Sequence, residues 1–223
     1  MSINVAIDGP AGAGKSTIAK RIAKQLNYIY VDTGAMYRAM ALYILREGVM
    51  PQDTERISMT CIHANIEIQY QNGEQIVLLN GENVNGLIRT EEVGKMASVT
   101  SVNQDVRFKL LELQRQLAKK ADVIMDGRDI GTYVLPDADV KIYLTAGSHV
   151  RALRRYEELI AKGEPAQLET IEQDIKERDH RDMTRELAPL KQAEDATVVD
   201  TSDMSIEEVI RTILAIIQTQ TQR

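Results

Sequence analysis

The chain has 223 residues, 43% of them hydrophobic, and a formal net charge of −6 at pH 7, a length that suits one sizeable core with room for an insertion. The negative charge argues against a general nucleic-acid-binding surface, no apolar run is long enough to span a membrane, and the N-terminus lacks a signal-peptide pattern. From these features we expect a cytoplasmic protein with neither a membrane nor a nucleic-acid partner. Because Cys61 is the single cysteine, we expect no disulfide within the chain.

The first predicted elements are a strand, a glycine-rich loop and a helix. A buried strand ends at Asp8, residues 9–16 fit G-x-x-x-x-G-K-(S/T), and a helix follows from about residue 15 to 26. Gly12 and Gly14 can adopt backbone angles that turn successive N–H groups toward one polyanion. The start of the helix adds further N–H groups and the positive end of its dipole. The pattern therefore predicts a P-loop that binds a nucleoside triphosphate.

Individual roles follow from this loop. Lys15 is expected to contact the β- and γ-phosphates, Ser16 to ligate Mg²⁺, and Thr17 to donate to a phosphate oxygen. The alternative is a glycine-rich turn with an incidental lysine. The residues predicted to bind the nucleoside triphosphate are Gly9, Pro10, Ala11, Gly12, Ala13, Gly14, Lys15, Ser16 and Thr17.

A second strand and helix repeat this order before the pattern changes. The strand YIYVD ends at Asp32, and the helix after it stops near Gly48 and Pro51. Residues 64–90 then alternate apolar and polar side chains and turn at Asn72-Gly73, which predicts an inserted antiparallel meander. The insertion is either inert or in contact with substrate.

The rest of the chain completes a parallel α/β sheet. A helical region spans about residues 91–120, and ADVIMD, DVKIYLTA and ATVVD predict three more strands, giving five in all. The last helix is expected to be capped at Ser205. Asp126 ends the first of these strands, where a P-loop protein keeps a carboxylate that acts on magnesium through water; the alternative is an aspartate that caps a turn.

Arginines are concentrated on two later helices. If the helix continues, four residues fall within about 100° of one another on the stripe begun by Ile171 and Ile175. They are Arg178, Arg181, Asp182 and Arg185. Arginines on an inward face need an anionic partner, which is either a bound phosphate or a protein carboxylate in a salt-bridged helix.

The other basic helix is a candidate lid over residues 148–165. Arg151, Arg154 and Arg155 could close over ATP and exclude water, with a hinge near Gly163. We expect mutual repulsion among the three arginines to hold the helix open until ATP supplies negative charge. The alternative is a solvated basic face.

Four motifs carry a resemblance to a known family. GPAGAGKST, DTGAMYR, DGRDIG and KERDHRDMTR, in this order and with a meander after the second helix, resemble bacterial cytidylate kinases over essentially the whole chain. The resemblance implies a single P-loop nucleotide kinase domain over residues 1–223, with a five-stranded parallel sheet flanked by helices. It places the meander, residues 64–90, in the monophosphate-binding region. It also implies transfer of the γ-phosphoryl group of ATP, with Mg²⁺, to CMP or dCMP.

The resemblance further implies residue roles. The residues matched to the acceptor phosphate are Arg38, Arg128 and Arg185. Those matched to cytosine are Ser98, Arg107 and Asp129, and those matched to the sugar are Arg178 and Asp182. Thr33 stands where relatives can carry serine and keeps the hydroxyl. Lys15, Arg128 and Arg185 are the expected catalytic residues, and Asp129 with Arg107 suits the donor and acceptor atoms of cytosine.

Other functions stay open at this point. The nearest rival is a P-loop kinase acting on UMP, AMP or a non-nucleotide alcohol. A GTP-binding switch would normally carry N-K-x-D, which does not occur here, and no signature of a transporter ATPase is visible. A nucleotide-binding module without turnover is a further alternative. We expect a monomer, because one sheet and its helices use the visible apolar faces.

Overall fold

The structure is a computed structural model that describes residues 2–221. Within that range the helices and strands follow in this order: β1 (Asn4–Asp8), α1 (Lys15–Leu26), β2 (Ile29–Asp32), α2 (Thr33–Arg46), α3 (Thr54–Cys61), β3 (Ile66–Gln71), β4 (Glu74–Leu79), β5 (Glu82–Asn83), α4 (Glu91–Thr100), α5 (Gln104–Lys120), β6 (Val123–Gly127), a π-helical turn (Ile130–Val134), β7 (Val140–Thr145), α6 (Ser148–Ala161), α7 (Leu168–Thr184), β8 (Thr197–Asp200) and α8 (Ile206–Thr221).

The larger sheet has five strands in the order β2-β6-β1-β7-β8. Strand β1 pairs in parallel with β7, so that Asp8 lies beside Tyr143, and β7 pairs in parallel with β8. The strands read as continuous apolar runs because both faces of a parallel sheet are covered by helices. The predicted α/β fold with a five-stranded parallel sheet is confirmed.

The smaller sheet is the predicted meander. Strands β3, β4 and β5 pair antiparallel in sequence order. At the first turn Asn72 and Gly73 both have positive φ angles, 54° and 77°. Two consecutive positive φ angles match the twist of a two-residue hairpin, and asparagine followed by glycine adopts them at low cost.

The chain divides into two compact units. The first unit comprises residues 3–27 and 124–221, and the second comprises residues 28–123. The first contains the phosphate loop and helices α6, α7 and α8, whereas the second contains α2 to α5 and the meander. The single domain over residues 1–223, the insertion boundaries 64–90 and the lid boundaries 148–165 stay predictions.

Several element ends are set by side-chain caps. The predicted helical region 91–120 is two helices, because the Asn103 side chain accepts hydrogen bonds from the N–H groups of Asp105 and Val106 and begins α5. Helix α3, which the sequence analysis does not contain, is capped in the same way by Asp53. At the last helix Ser205 and Glu208 form the reciprocal hydrogen bonds of a capping box, which confirms the predicted cap.

Across residues 2–221, no helix combines the length and the apolar character needed to cross a membrane.

Candidate functional site

The glycines of the phosphate loop are required by its path. Gly9, Gly12 and Gly14 all have positive φ angles, and a Cβ added to Gly9 would lie 1.9 Å from the carbonyl oxygen of Leu144 on β7. Gly14 is the N-cap residue of α1 and supplies no capping side chain. The first N–H groups of α1 therefore have no side-chain acceptor at the cap, which suits binding of an anion.

Lys15 is held inside the loop. Its side chain is buried, and Nζ donates to the carbonyl oxygen of Pro10 at 2.7 Å. Burial, and then the positive charge of Arg128, hold the pKa of Lys15 well below its usual range, while Asp126 acts in the opposite direction. A buried ammonium group with one carbonyl partner is poorly solvated, so a polyphosphate would interact with it strongly.

Ser16 and Asp126 lie together at the start of α1. The Ser16 hydroxyl donates to Oδ2 of Asp126 at 2.9 Å, and the carboxylate is buried at the end of β6. A hydroxyl and a carboxylate are the hard oxygen ligands that Mg²⁺ prefers, with phosphate and water completing the shell. Across residues 2–221, no three His, Cys, Asp or Glu side chains are grouped as a metal site.

Asp8 is a functional candidate that the sequence analysis missed. Its two carboxylate oxygens accept from the backbone N–H groups of Ile130 and Gly131, at 2.8 and 2.7 Å, at the start of the π-helical turn. Burial raises the pKa of Asp8 to about 7, and these two hydrogen bonds oppose that rise. The available signal was an aspartate that ends a buried strand directly before the phosphate loop.

Arginine–carboxylate pairs connect DGRDIG to helix α7 and the residues after it. Nε of Arg128 lies 2.9 Å from Oδ2 of Asp182, and Nη2 of Arg185 lies 3.2 Å from Oδ1 of Asp129. Burial raises the pKa of Asp182, but the positive charges of Arg128, Arg178 and Arg185 outweigh it, so the pKa is lowered. The structure thus brings these predicted acceptor residues of the first unit together.

The predicted cationic face of α7 needs correction. The helix ends at Thr184, and Arg185 adopts an extended conformation in which its Nε donates to the carbonyl oxygen of Ala188 at 2.7 Å. Arg181 is exposed, whereas Asp179 and Asp182 are the buried charged residues of the helix. The helical-spacing argument placed Arg185 on a turn that does not form.

Each of the three arginines of α6 has a partner of its own, which the expectation of a helix held open by their mutual repulsion did not include. Arg151 is buried; its Nη1 donates to the carbonyl oxygen of Ala11 at 2.8 Å and lies 2.7 Å from Oδ2 of Asp179. Arg154 donates to Thr201, and Arg155 donates to Glu158 one turn along its own helix. Helix α6 is therefore tied directly to the phosphate loop through Arg151.

In the second unit, Asp32 organises the start of α2. Its Oδ1 accepts from the N–H of Ala35 at 2.8 Å, which caps the helix. Its Oδ2 accepts from Arg38 at 3.3 Å and from Arg89 at 2.9 Å. A Cβ on Gly34 would lie 3.3 Å from Nη1 of Arg38, so the missing side chain at Gly34 leaves room for the guanidinium group. Thr33 is buried in the same turn.

The predicted base-facing residues of the second unit lie on α4 and α5. Arg107 is buried, donates from Nη1 to the carbonyl oxygen of Ser101 at 3.2 Å, and places its Cζ 5.7 Å from the centre of the Tyr37 ring. Ser98 is buried, and its Oγ makes no hydrogen bond with any residue between 2 and 221. A buried hydroxyl without a protein partner fits a ligand contact.

Fold and site together define a class of protein. A parallel sheet whose first strand leads through a phosphate loop into a helix, with a buried lysine, a serine–aspartate pair and clustered arginines, is the arrangement of a P-loop kinase. A gluconokinase from Sinorhizobium meliloti shows the same fold, with a TM-score of 0.52 and 14% identity over 97% of this chain and 92% of that protein.

Sequence comparison gives the family. The model of the cytidylate kinase family matches residues 5–219. A cytidylate kinase from Caldicellulosiruptor saccharolyticus is 52% identical over 95% of this chain and 94% of that protein, and one from a Geobacillus species is 49% identical over 97% and 96%. The chain belongs to the cytidylate kinase family and is a nucleoside monophosphate kinase, an enzyme of ATP-dependent phosphoryl transfer.

Proposed function

We propose that this chain transfers the γ-phosphoryl group of ATP to CMP or dCMP, giving ADP and CDP or dCDP. Membership of the cytidylate kinase family supports this assignment. The structural observation that carries it is the buried Lys15 beside the Ser16–Asp126 pair, which is the donor-phosphate half of such a reaction. Phosphoryl transfer needs positioned charge rather than covalent participation of the protein.

The donor side of the proposed reaction lies in the phosphate loop, residues 9–17. Its backbone N–H groups and those at the start of α1 bind the phosphates, and Lys15 neutralises charge that develops on the transferred group. Ser16, directly, and Asp126, through water, would hold Mg²⁺. When bound, this ion would draw negative charge from the β- and γ-phosphate oxygens.

The acceptor side of the proposed reaction uses arginines, aspartates and a serine hydroxyl. Arg38, Arg128 and Arg185 are proposed to bind the acceptor phosphate. Ser98, Arg107 and Asp129 are proposed to bind the base, and Arg178 and Asp182 the sugar. The buried Arg185–Asp129 and Arg128–Asp182 pairs support this assignment, because each fixes a guanidinium group before substrate arrives. The Thr33 hydroxyl is proposed as a further contact.

We also propose that residues 148–165 form a lid over ATP, and that the enzyme is a monomer. The contact of Arg151 with Ala11 of the phosphate loop supports the lid. Hydrogen exchange over this segment should slow when ATP and CMP are both added. Identical exchange with and without the two nucleotides would show that α6 is an ordinary surface helix.

The proposal that the enzyme is a monomer is tested by light scattering, which measures its molecular mass at the assay concentration.

The experiment for the proposed reaction is an initial-rate panel. ADP release is measured with ATP and Mg²⁺ in the presence of CMP, dCMP, UMP, AMP or no acceptor. CMP or dCMP should give the highest kcat/KM, because a site built to hydrogen-bond cytosine leaves buried groups unpaired with other bases. Equal rates with UMP or AMP would contradict cytosine recognition, and ADP release that no acceptor changes would contradict kinase activity.

A further inference from the structure

The meander and the acceptor-phosphate arginine Arg38 are connected through one buried carboxylate. The backbone N–H of Asp32 donates to Oε1 of Gln75 at 2.8 Å, and Nε2 of Gln75 donates back to the carbonyl oxygen of Asp32 at 3.3 Å. A side-chain amide of strand β4 thus pairs with the backbone at the end of β2 as a neighbouring strand would. The meander therefore fixes the backbone that carries the Asp32 side chain.

Gln75 is itself held in place by the meander. The side-chain amide of Asn85 donates to the carbonyl oxygen of Gln75 at 2.8 Å and accepts from the N–H of Val77 at 2.9 Å. Beside this contact, the Tyr70 hydroxyl donates to the carbonyl oxygen of Tyr30 on β2 at 3.2 Å. Through these hydrogen bonds the meander holds the backbone at the end of β2 in place.

Arg89 follows the meander and shares the carboxylate oxygen that orients Arg38. Its Nη2 lies 2.9 Å from Oδ2 of Asp32, yet 61% of its side chain is exposed. An ion pair this exposed adds little to folding stability. Its consequence is geometric, because Asp32 holds one edge of the guanidinium group while the exposed remainder can donate to a ligand. Arg38 and Arg89 thus converge on one anchoring atom.

We propose that Arg89 is a further phosphate-binding residue of the acceptor site, and that Asp32 is the positioning residue that holds Arg38 and Arg89 as a paired clamp for a phosphate monoester. The inference rests on the proposed function, since it concerns the phosphate of the acceptor nucleotide. Two guanidinium groups oriented on one carboxylate match a dianionic phosphate, which accepts several charge-assisted hydrogen bonds at once. The meander contributes to this clamp through Gln75, which hydrogen-bonds the backbone of Asp32.

The test measures CMP and cytidine binding by calorimetry, together with steady-state kinetics, for the whole chain and its variants. Arg89→Ala should weaken CMP binding about tenfold through loss of charge-assisted hydrogen bonds, with cytidine binding and the KM for ATP unchanged. Arg89→Lys should recover only part of the loss, because lysine lacks the planar fork. Asp32→Asn keeps an oxygen for the helix cap but removes the shared acceptor, so it should weaken CMP binding at least as much.

The matched control is Arg46→Ala. Arg46 also reaches from α2 to the meander and lies 2.6 Å from Glu82, but it shares no atom with Asp32. This variant should bind CMP like the unmodified chain. If Arg89→Ala binds CMP no worse than Arg46→Ala, or loses cytidine and CMP equally, the inference is wrong. If Asp32→Asn fails to fold, CMP binding by Arg89→Ala and Arg89→Lys still tests whether Arg89 binds the acceptor phosphate. Failure of the unmodified chain to bind CMP would instead contradict the proposed function.

Discussion

The two units arrange their arginines differently around carboxylates. In the first unit three arginines pair with three different buried carboxylates: Arg128 with Asp182, Arg185 with Asp129, and Arg151 with Asp179. In the second unit one oxygen of Asp32 serves both Arg38 and Arg89, of which Arg89 is mostly exposed. The first arrangement fixes buried charges against one another, whereas the second orients two cations with a single anion.

This difference determines what a mutation should disturb. Removing one partner of a buried pair leaves an uncompensated charge, which typically costs about 3–5 kcal/mol of stability. Removing an exposed arginine has little effect on stability. Variants that remove an arginine from one of the first unit's pairs should therefore change both folding and catalysis, whereas Arg89→Ala should change binding alone.

The largest effect is expected at Lys15, whose Nζ donates to the carbonyl oxygen of Pro10, unlike the arginines of the first unit that pair with carboxylates. Lys15→Ala should lower kcat by about a thousandfold or more, because the lysine neutralises charge developing on the transferred phosphoryl group. Its thermal unfolding should be unchanged, since removal of a buried charge relieves a desolvation cost. Initial rates and melting curves measure both, with Lys95→Ala, an exposed lysine, as the control. Near-normal turnover would contradict the phosphate-loop assignment.

The next effect tests the buried pairs. Arg128→Ala and Arg185→Ala should each lower kcat/KM for CMP by about a hundredfold, through loss of charge-assisted hydrogen bonds to the acceptor phosphate. Both should also lower the free energy of unfolding, because Asp182 or Asp129 is left buried without its arginine. Kinetics and urea titrations are compared with those of Arg89→Ala. Normal kinetics combined with reduced stability would make these pairs purely structural.

A smaller effect is expected in base selection. Asp129→Asn replaces an acceptor with a group that can also donate, so recognition of the cytosine amino group should weaken while UMP is less affected. Loss of one such contact costs about 1–3 kcal/mol, so the ratio of kcat/KM for CMP to that for UMP should fall by roughly tenfold or more. An unchanged ratio, measured on folded protein, would show that Asp129 does not contact the base.

The smallest effect concerns Asp8, whose carboxylate is bound by backbone N–H groups rather than by an arginine. Its folded-state pKa is raised to about 7 from 3.8 by burial, with Asp129 raising it further and Lys15 opposing the rise. Between those values the folded protein holds a proton that the unfolded chain has released. The stabilisation from Asp8 is therefore complete at low pH and is lost as pH rises through the folded-state pKa.

The corresponding measurement is the pH dependence of urea unfolding. Relative to Asp8→Asn, the unmodified chain should lose about 1.4 kcal/mol of unfolding free energy per pH unit between about pH 5 and 6.5. The comparison uses slopes, so a constant loss of stability in the variant does not affect it. Equal slopes for the two proteins would show that Asp8 titrates at its ordinary value.

The sequence by itself determined the features that depend on neighbouring residues. The phosphate loop is a contiguous motif whose glycines are needed for positive φ angles, the Asn72-Gly73 turn has its own backbone preference, and Ser205 caps its helix through Glu208. Apolar periodicity likewise predicted the five-stranded parallel sheet and the meander, because each strand must bury its own side chains.

Only the tertiary structure decided the partners of the charged residues. Arg128 and Asp182 are 54 residues apart, and Arg151 is buried against Asp179 although its helix reads as a basic surface. Arg185 leaves the helix on which periodicity placed it, and Gln75 fixes the backbone of Asp32 across a sheet insertion. Spacing along a chain cannot select among many possible carboxylates, since the choice depends on which groups lose water together when the elements pack.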